Sequence, residues 1–370
     1  MHRYSFQACT NENVNLLYLI EIIIISWYYM SKSVLKEIVM NSDIIQAGIH
    51  AVKKIKTSMK RAIIGQEALI DAIITAFLAH GHLLIEGVPG LAKTLAVKTF
   101  AACTGLSFNR IQFTPDLLPG DITGTMIFEQ GRGSFIPHKG PIFAHVLLAD
   151  EINRAPAKVQ SALLEGMEEL HVTFGGQTYP LPDPFLVLAT QNPLEHEGVF
   201  RLPEAQLDRF LMKVLVTYPS PEEEAEIVKY YGAASLQPKI TAADTIANSD
   251  IELLRKVLDA ISISHDLIDY TIRIINTLRK RPDASLPVTV QQEIDRSIQF
   301  GPGPRAVLAL HKTARAQALI AGRTHVTPDD IKNTAQQVLR HRVLLTYEAE
   351  AQGIVQDDII ALILKSLPLP

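Results

Sequence analysis

Between residues 82 and 217 the chain alternates short apolar runs with longer segments in which apolar residues recur every three or four positions. The short runs have the length and composition of buried strands, and the longer segments have the spacing of helices with one apolar face. Such alternation is typical of a parallel β-sheet covered by helices. Five strands are predicted, at residues 82–86, 107–113, 145–150, 185–190 and 212–217.

The segment between the third and fourth predicted strands shows the helical spacing clearly. Pro156 stands at its start, where proline is favoured because its missing N–H would have no partner in the helix. Val159, Leu163, Met167 and Leu170 then follow at intervals of three or four residues. The pattern predicts a helix that buries this stripe, so Met167 is interpreted as a core residue.

Two glycine-containing segments interrupt the alternation and predict β-hairpins. One covers residues 125–138 and turns at Gly131 and Gly133, and the other covers residues 171–181 and turns at the Gly175–Gly176 pair. Glycine suits such turns because it adopts positive φ freely. The sheet is complete without either hairpin, so we expect both to be moving parts or contacts for a partner.

After Pro221 the strand pattern ends, and helical spacing continues to the C-terminus. Thr327 and Pro328 open the last predicted helix with a strong start signal. Helices are predicted near residues 221–232, 250–280, 288–300, 305–321 and 328–350. The predicted units are an N-terminal extension at residues 1–33, a core domain at residues 34–218 and a helical domain at residues 219–370.

The most apolar stretch of the chain lies near its start, at residues 14–30. It is shorter than the roughly 20 apolar residues that span a membrane, and Glu21 lies in its middle, where a carboxylate is costly. A signal peptide fits no better, because no small-residue cleavage site follows Ser26. We expect that translation begins at Met30 or Met40. The alternative is an anchor at the membrane surface, which would be the one membrane contact of the chain.

Composition limits the classes of function. Apolar residues make up 47% and charged residues 20%, which is typical of a soluble globular protein. A formal charge of −4 and a pI near 6.3 lack the basic surface that nucleic-acid backbones require, so nucleic acid is not an expected partner. The two cysteines, Cys9 and Cys103, are far apart and form no C-x-x-C pair, so neither a disulfide framework nor a zinc site is indicated, and a reducing cytoplasm fits.

A glycine-rich sequence, GVPGLAKT, follows the first predicted strand and precedes a predicted helix. Such a loop presents backbone N–H groups to phosphate oxygens, while Lys93 would reach the outer phosphates and the Thr94 hydroxyl would bind Mg²⁺. The consensus has glycine where this chain has Ala92, and a methyl group is tolerable there if the residue has helical dihedral angles. The sequence thus predicts ATP and Mg²⁺ as ligands.

Two carboxylates, Asp150 and Glu151, end the third predicted strand, at the edge where an α/β sheet presents groups to its ligands. Asp150 is interpreted as part of the Mg²⁺ shell, and Glu151 as the group that polarises the attacking water. The alternative is an acidic pair that caps the helix starting after Asn153. Asn192 follows the fourth strand, and we expect it to contact the γ-phosphate or position the water.

Arginines lie further along the chain, Arg201 and Arg209 in FRLPEAQLDRFLMK and Arg305 in GPGPR. Any one of them is more often a surface charge than a catalytic group. Sites of phosphoryl transfer nevertheless use arginine to neutralise the charge that develops on the phosphate. These three residues are therefore candidates for that role.

Taken together, these motifs resemble those of the MoxR family of AAA+ ATPases. The resemblance rests on GVPGLAKT, LLADEINRAPAKVQSALLEGMEE, ATQNP, LPEAQLDRF, GPGPRA, AGRTHVTPDDI and VLRHR, and covers residues 44–345. It implies an α/β fold: an AAA+ P-loop NTPase αβα core with a five-stranded parallel sheet, followed by an all-helical lid domain. The alanine of GVPGLAKT is a form that the family accepts.

The resemblance also implies roles for individual residues around ATP. Lys93 and Thr94 correspond to the Walker A motif, Asp150 and Glu151 to the Walker B motif, and Asn192 to sensor 1. Gly65 and Gln66 correspond to the loop near the adenine. The implied ATP contacts are Gly65, Gln66, Gly87, Val88, Pro89, Gly90, Leu91, Ala92, Lys93, Thr94 and Leu95, and the implied Mg²⁺ ligands are Thr94 and Asp150.

For the arginines, the resemblance implies a site shared between subunits. Arg209 is similar to the arginine finger that reaches a neighbour's ATP, with Arg154 and Arg201 as rivals. Arg305 is similar to sensor 2 on the lid, acting in cis or in trans. The two predicted hairpins are similar to the helix-2 insert and the pre-sensor hairpin of this branch of the AAA+ proteins.

The function implied by the resemblance is chaperone-like remodelling in the cytoplasm. Such proteins form rings, here expected to be hexamers, and assemble or metallate partner complexes, often with a protein that carries a von Willebrand factor A domain. A magnesium-chelatase-like motor subunit and an MCM-like nucleic-acid motor are the alternatives. The acidic pI and the lack of an added nucleic-acid-binding domain argue against the second.

Overall fold

A computed structural model describes residues 42–131, 133–193, 200, 202–232, 240–281 and 283–370. The apolar stretch at residues 14–30, both candidate start sites and Arg201 lie outside the described residues. Within the described part, no helix is long and apolar enough to cross a membrane.

Helices and strands alternate through the first half of the chain. They are α1 (residues 42–62), α2 (Glu67–Leu78), β1 (Leu83–Glu86), α3 (Lys93–Thr104), β2 (Phe108–Gln112), α4 (Pro119–Thr123), β3 (Gly124–Glu129), β4 (Ser134–Lys139), β5 (Val146–Asp150), α5 (Ala157–Glu169), β6 (His171–Phe174), β7 (Gln177–Pro180), β8 (Leu186–Gln191), α6 (Glu204–Leu207) and β9 (Met212–Leu215).

Helices dominate the second half. The elements are α7 (Pro221–Tyr231), α8 (Asn248–Ala260), α9 (His265–Leu278), α10 (Val288–Ser297), β10 (Ile298–Phe300), α11 (Pro304–Ile320), α12 (Pro328–Leu339), β11 (Leu344–Leu345), α13 (Tyr347–Ala351) and α14 (Gln356–Ser366).

Among the described residues, one parallel sheet has the strand order β2-β5-β8-β1-β9, which confirms the five strands predicted from the sequence. Side chains of a strand point alternately to its two faces. In β5, Val146 and Leu148 therefore pack into one apolar cluster, while Leu147 and Ala149 pack into another. Apolar layers on both faces of the sheet define an α/β fold.

The register of the sheet brings the carboxyl ends of its strands together. Glu86 at the end of β1 pairs with Gln191 at the end of β8, and Gln112 at the end of β2 pairs with Asp150 at the end of β5. The segments that follow these four strands consequently start from one edge, which we call the carboxyl edge. The starts of the same strands form the amino edge.

Both predicted hairpins are confirmed. β3 pairs with β4 and β6 pairs with β7, each in antiparallel register. The hairpins touch each other, because Gly175 packs so closely on Met126 that a Cβ atom there would lie 2.5 Å from the Met126 side chain. In the β3–β4 hairpin the rings of Phe128 and Phe135 meet edge to face at 5.3 Å, and both are exposed.

Helix α5 begins after Pro156 and buries Val159, Leu163 and Met167, as predicted. The prediction was wrong for Leu170, which is 52% exposed. Leu170 adopts φ 55° and ψ 23° at the C-terminal cap of the helix. Left-handed dihedral angles end the helix, so the spacing no longer decides which way this side chain faces.

The second half departs from the prediction at three places. The helix predicted at residues 250–280 is two helices, because Ser262 pairs with the segment around His325 and Ser264 caps α9 by accepting from the N–H of Leu267. Strand β10 ends the predicted 288–300 helix and pairs with β11, which interrupts the predicted 328–350 helix. A further helix, α14, lies beyond the last predicted helix range, in the part of the chain where helical spacing continues.

The C-terminal helices share an apolar core with the sheet. Ala314, Ala316 and Ala318 of α11 are fully buried, and the Gln317 amide of that helix donates to the Thr75 hydroxyl of α2 at 3.2 Å. One apolar cluster extends from α1 and the sheet to α14. This shared core fixes the position of α11, and with it the position of Arg305.

Candidate active site

The glycine-rich loop connects β1 to α3 at the carboxyl edge. Gly87 is required by close packing, since a Cβ atom there would lie 2.7 Å from the carbonyl oxygen of Val216. Gly90 has φ +89°, which favours glycine. The loop ends at the N-terminus of α3, where free N–H groups and the helix dipole attract anions.

Ala92 does not have the helical dihedral angles that the sequence interpretation required. It adopts φ 55° and ψ 17°, in the left-handed region. An L-residue with a Cβ atom loses about 1 kcal/mol there relative to the right-handed helix. The loop therefore holds a strained residue at the position of the consensus glycine, and strain of this kind is common at functional sites.

Lys93 is half-buried at the start of α3, and its ammonium group donates a hydrogen bond to the carbonyl oxygen of Gly87. Burial lowers the pKa of Lys93, and Asp150 and Glu151 partly oppose this effect. The side chain lies across the loop that precedes it, next to the place where phosphate groups would bind.

Asp150 and Glu151 are held by the neighbouring strand. The Thr190 hydroxyl donates to Oδ1 of Asp150 at 2.5 Å and accepts from the N–H of Glu151 at 2.8 Å. Glu151 adopts φ 57° and ψ 48°, a second left-handed residue at this edge. Its side chain caps no helix, which excludes the alternative of a capping pair, and Oε2 lies 3.2 Å from Nε of Arg154.

Sequence reasoning missed two residues of β2 that bind these carboxylates. Arg110 donates to Oδ2 of Asp150 through Nε at 3.0 Å and Nη2 at 2.7 Å. Gln112 donates to Oε2 of Glu151 at 2.6 Å. The available signal was their spacing: two polar residues two positions apart share one face at the end of a strand.

These groups converge on one cavity of about 410 Å³. Most of its lining was predicted from the sequence, and Arg110, Gln112 and Thr190 were not. The lining residues are Pro89, Gly90, Leu91, Ala92, Lys93, Thr94, Leu95, Arg110, Gln112, Asp150, Glu151, Thr190 and Asn192.

Four predicted ATP contacts lie beside this cavity without lining it. Gly87 and Val88 begin the loop, and Gly65 and Gln66 follow α1. The Gln66 amide donates to the carbonyl oxygen of Thr217 at 3.1 Å, just after β9. This places the Gly65–Gln66 segment at the same edge of the sheet, next to the glycine-rich loop.

Arg209 and Arg305 lie at the amino edge instead. They line a second cavity of about 390 Å³ together with Gly81, His82 and Leu211, which precede β1 or β9. A strand of four residues separates the two edges by roughly 13 Å. Neither arginine lines the cavity of its own glycine-rich loop, whereas Arg154 contacts Glu151 there.

A P-loop between β1 and a helix, with two carboxylates at the end of β5 on the other side of β8, defines an ATPase of the AAA class. The family model described as "ATPase family associated with various cellular activities (AAA)" matches residues 82–212, and the model of the AAA lid domain matches residues 290–363. The protein accordingly binds and hydrolyses ATP.

Similar proteins define the family more closely. Chaperone MoxR1 of Mycobacterium tuberculosis is 47% identical over 88% of this chain and 84% of its own length. YeaC of Bacillus subtilis is 41% identical over 84% of this chain and 92% of its own. A crystal structure of a Cytophaga hutchinsonii protein assigned as an ATPase matches with a TM-score of 0.82 and 41% identity, over 90% of this chain and 99% of that one. The chain belongs to the MoxR family of AAA+ ATPases.

Proposed function

We propose that this ATPase works as a ring, with each ATP bound between two copies, and that hydrolysis drives the remodelling of a partner protein. The observation that carries the proposal is the separation of the two halves of the site. The P-loop and carboxylates lie at the carboxyl edge, while Arg209 and Arg305 lie at the amino edge. One copy can complete the site of another if the two edges face each other in a ring.

At the carboxyl edge, Lys93 would bind the outer phosphates, Asn192 the γ-phosphate or the attacking water, and Glu151 would polarise that water. Gln112 and Arg154 hold the Glu151 carboxylate by its Oε2 atom. A fixed carboxylate is suited to orient water, because little reorganisation is needed when the reaction occurs.

Mg²⁺ fits the same edge. Thr94 and Asp150 offer hard oxygen ligands to one polar cavity, and among the described residues no group of three acidic, histidine or cysteine side chains could hold a metal alone. Water and phosphate oxygens would complete the coordination, as is usual for Mg²⁺. The ion would neutralise charge on the phosphates, and Arg110 neutralises Asp150 in the free chain.

At the amino edge, Arg209 and Arg305 would approach the ATP of the adjacent copy. The cavity they line also holds Lys312 and Arg342, and its acidic residues are Glu168 and Asp208. Four cationic side chains against two carboxylates leave a net positive charge. Such a cavity suits a polyphosphate of a neighbouring copy.

The hairpins are the proposed working parts. Phe128 and Phe135 are exposed on the β3–β4 hairpin, which packs on the β6–β7 hairpin through Met126 and Gly175. Movement of the lid against the core would shift both against a client. We propose a hexamer acting in the cytoplasm, with a protein containing a von Willebrand factor A domain as partner and assembly or metal insertion as the outcome.

The test mixes two inactive variants. Arg209→Ala chains keep Glu151 and lack the proposed trans arginine, whereas Glu151→Gln chains keep the arginine and lack the catalytic carboxylate. If the site is shared, an equal mixture regains roughly a quarter of the wild-type turnover per chain, because half of the Arg209→Ala sites then face an intact arginine. Turnover no higher than the sum of the separate variants would contradict a shared site.

The partner is tested separately by measuring ATP turnover with a co-purified von Willebrand factor A protein, and with single- and double-stranded DNA at physiological salt. We expect turnover to change with the protein and not with DNA. Stimulation by DNA alone would favour the nucleic-acid motor instead.

A further inference from the structure

Glu168 connects the two arginines of the amino edge. Its Oε2 atom lies 3.0 Å from Nη2 of Arg209, and its Oε1 atom accepts a hydrogen bond from Nη2 of Arg305. Each carboxylate oxygen therefore serves one guanidinium. Asp208 adds a longer contact, with Oδ2 3.8 Å from Nη1 of Arg305.

The place of Glu168 in its helix gives no local reason for a carboxylate. Glu168 lies in the last turn of α5, which ends at Glu169. The C-terminal end of a helix carries partial negative charge, so an acidic residue there is unfavourable for the helix itself. The stabilising partners of Glu168 are the two arginines, which come from other elements.

Three separate segments meet at the Glu168 carboxylate, and the backbone of each is held by contacts with other parts of the chain. The carbonyl oxygen of Met167, next to Glu168, accepts from the buried His82 at 3.2 Å. The segment that carries Arg209 is held by Arg342, which donates to Oδ1 of Asp208 at 2.7 Å and to the carbonyl oxygen of Phe210 at 2.7 Å.

The lid residue Arg305 is fixed in a similar way. It opens α11, whose buried face packs in the shared core. The preceding loop is held where Arg279 donates to the carbonyl oxygen of Pro302 at 2.8 Å. The backbones of both arginines are thus anchored, and Glu168 contacts the guanidinium group of each.

We propose that Glu168 is a positioning residue that holds Arg209 and Arg305 side by side for the phosphates of a neighbouring copy's ATP. The inference rests on the shared site proposed above. With the Glu168 carboxylate between them, the two guanidinium groups are already arranged as they would be around a phosphate. Without this carboxylate their like charges would drive them apart. A phosphate group carries more charge than a carboxylate and would take over the contacts.

The alternative is that Glu168 only ties the lid to the core. The side chain of Glu168 is 36% exposed and that of Arg305 is 51% exposed. Ion pairs at this exposure add little to stability. A purely structural role would therefore leave turnover at the neighbouring site unchanged, and that difference is what the test measures.

The test starts from Glu168→Gln, which keeps the size of the side chain and removes its charge. We expect kcat to fall roughly tenfold, since misplacing a group by about 1 Å costs up to a hundredfold. ATP binding and the midpoint of thermal unfolding should not change. Glu169→Gln is the matched control, because Glu169 is exposed in the same helical turn and does not line the cavity.

The decisive measurement dopes wild-type rings with an equal amount of chains that carry Glu151→Gln and cannot hydrolyse ATP. Half of the wild-type sites in such rings face a dopant chain. A dopant that carries both Glu151→Gln and Glu168→Gln should therefore lower the turnover per wild-type chain. We expect roughly half to two thirds of the turnover measured with a dopant that carries Glu151→Gln alone. Dopants with the added Glu169→Gln should match Glu151→Gln alone.

A dopant with Arg209→Ala separates the two proposals. If Arg209→Ala lowers turnover and Glu168→Gln does not, the site is shared and the role of Glu168 is overturned. If neither dopant lowers turnover, the shared site itself is overturned, and the inference about Glu168 falls with it.

Discussion

The carboxyl and amino edges of the sheet carry charged clusters that the chain builds in different ways. At the carboxyl edge the functional groups come soon after their strands: Lys93 follows β1 across the glycine-rich loop, and Glu151 directly follows β5. At the amino edge Glu168, Arg209 and Arg305 come from a helix end, a short connection and the lid. The first edge can be recognised from local motifs, whereas the second depends on how distant segments pack.

The difference also extends to charge. At the carboxyl edge the carboxylates Asp150 and Glu151 are each paired with a residue of β2. At the amino edge cationic groups exceed acidic ones. The carboxyl edge, with its bound carboxylates, suits Mg-ATP, and the amino edge carries an excess of arginine. The two edges are complementary, which is the arrangement expected of surfaces that meet between copies.

The largest effect is expected at the carboxyl edge. Lys93→Ala should abolish measurable ATP binding and turnover, because the phosphates lose their cationic partner at the helix N-terminus. Glu151→Gln should bind ATP and hydrolyse it at least a hundredfold more slowly. Equilibrium binding and steady-state turnover check both variants, and normal turnover in either would refute the assigned role.

At the amino edge, Arg209→Ala should leave ATP binding within a few fold of the wild type and reduce kcat roughly a thousandfold, the effect typical of an arginine finger. Lys93→Ala is expected to lose ATP binding and Arg209→Ala to keep it. Comparing the two variants therefore distinguishes the edge that binds ATP from the edge that only assists its hydrolysis. A loss of ATP binding equal to that of Lys93→Ala would show that Arg209 belongs to the site of its own chain.

The amino edge should also respond to acid. His82 is buried, donates to the carbonyl oxygen of Met167 through Nε2 and accepts the N–H of Val187 at Nδ1. Burial lowers the pKa of His82 to about 4. In the unfolded chain His82 takes up a proton near pH 6.5. The stability that neutral, buried His82 contributes to the folded chain is therefore fully present above that pH and is lost as the pH falls.

From the shift in pKa of His82, the free energy of unfolding should drop by about 3 kcal/mol between pH 6.5 and 4. His341 adds to the drop, since burial also lowers its pKa. Denaturant unfolding at a series of pH values measures this, and His82→Gln should flatten the profile. An equally steep profile in His82→Gln would assign the acid response to other groups.

The smallest effect concerns strain at the carboxyl edge. Ala92→Gly should raise the free energy of unfolding by about 0.5 kcal/mol, because relief of the left-handed strain exceeds the entropy that glycine loses on folding. Ala92→Val should be destabilising, since a branched Cβ suits φ 55° less well. A gain in stability with valine would show that Ala92 is not strained.

Much of the fold could be predicted from the sequence because apolar periodicity reports burial directly. The strands, the hairpins and most of the lining of the P-loop cavity follow from local patterns such as GVPGLAKT. The breaks within the predicted helices at residues 250–280 and 328–350 do not, since they depend on pairings such as Ser262 with His325 and β10 with β11.

The site residues that the sequence analysis missed also depend on pairings between distant segments. Arg110 and Gln112 are ordinary polar positions until the register places them beside Asp150 and Glu151. Glu168 is one of several acidic residues on a helix surface until the lid brings Arg305 to it. Ala92 adopts left-handed dihedral angles, which an alanine in the sequence does not indicate by itself.

The central claim is that one copy completes the ATP site of another. Its most direct test is the turnover per chain over a range of protein concentrations, with the oligomeric state determined at each concentration. The account predicts that turnover falls with the fraction of assembled chains while each dissociated chain still binds ATP. A dissociated monomer that hydrolyses ATP at the full rate would contradict it.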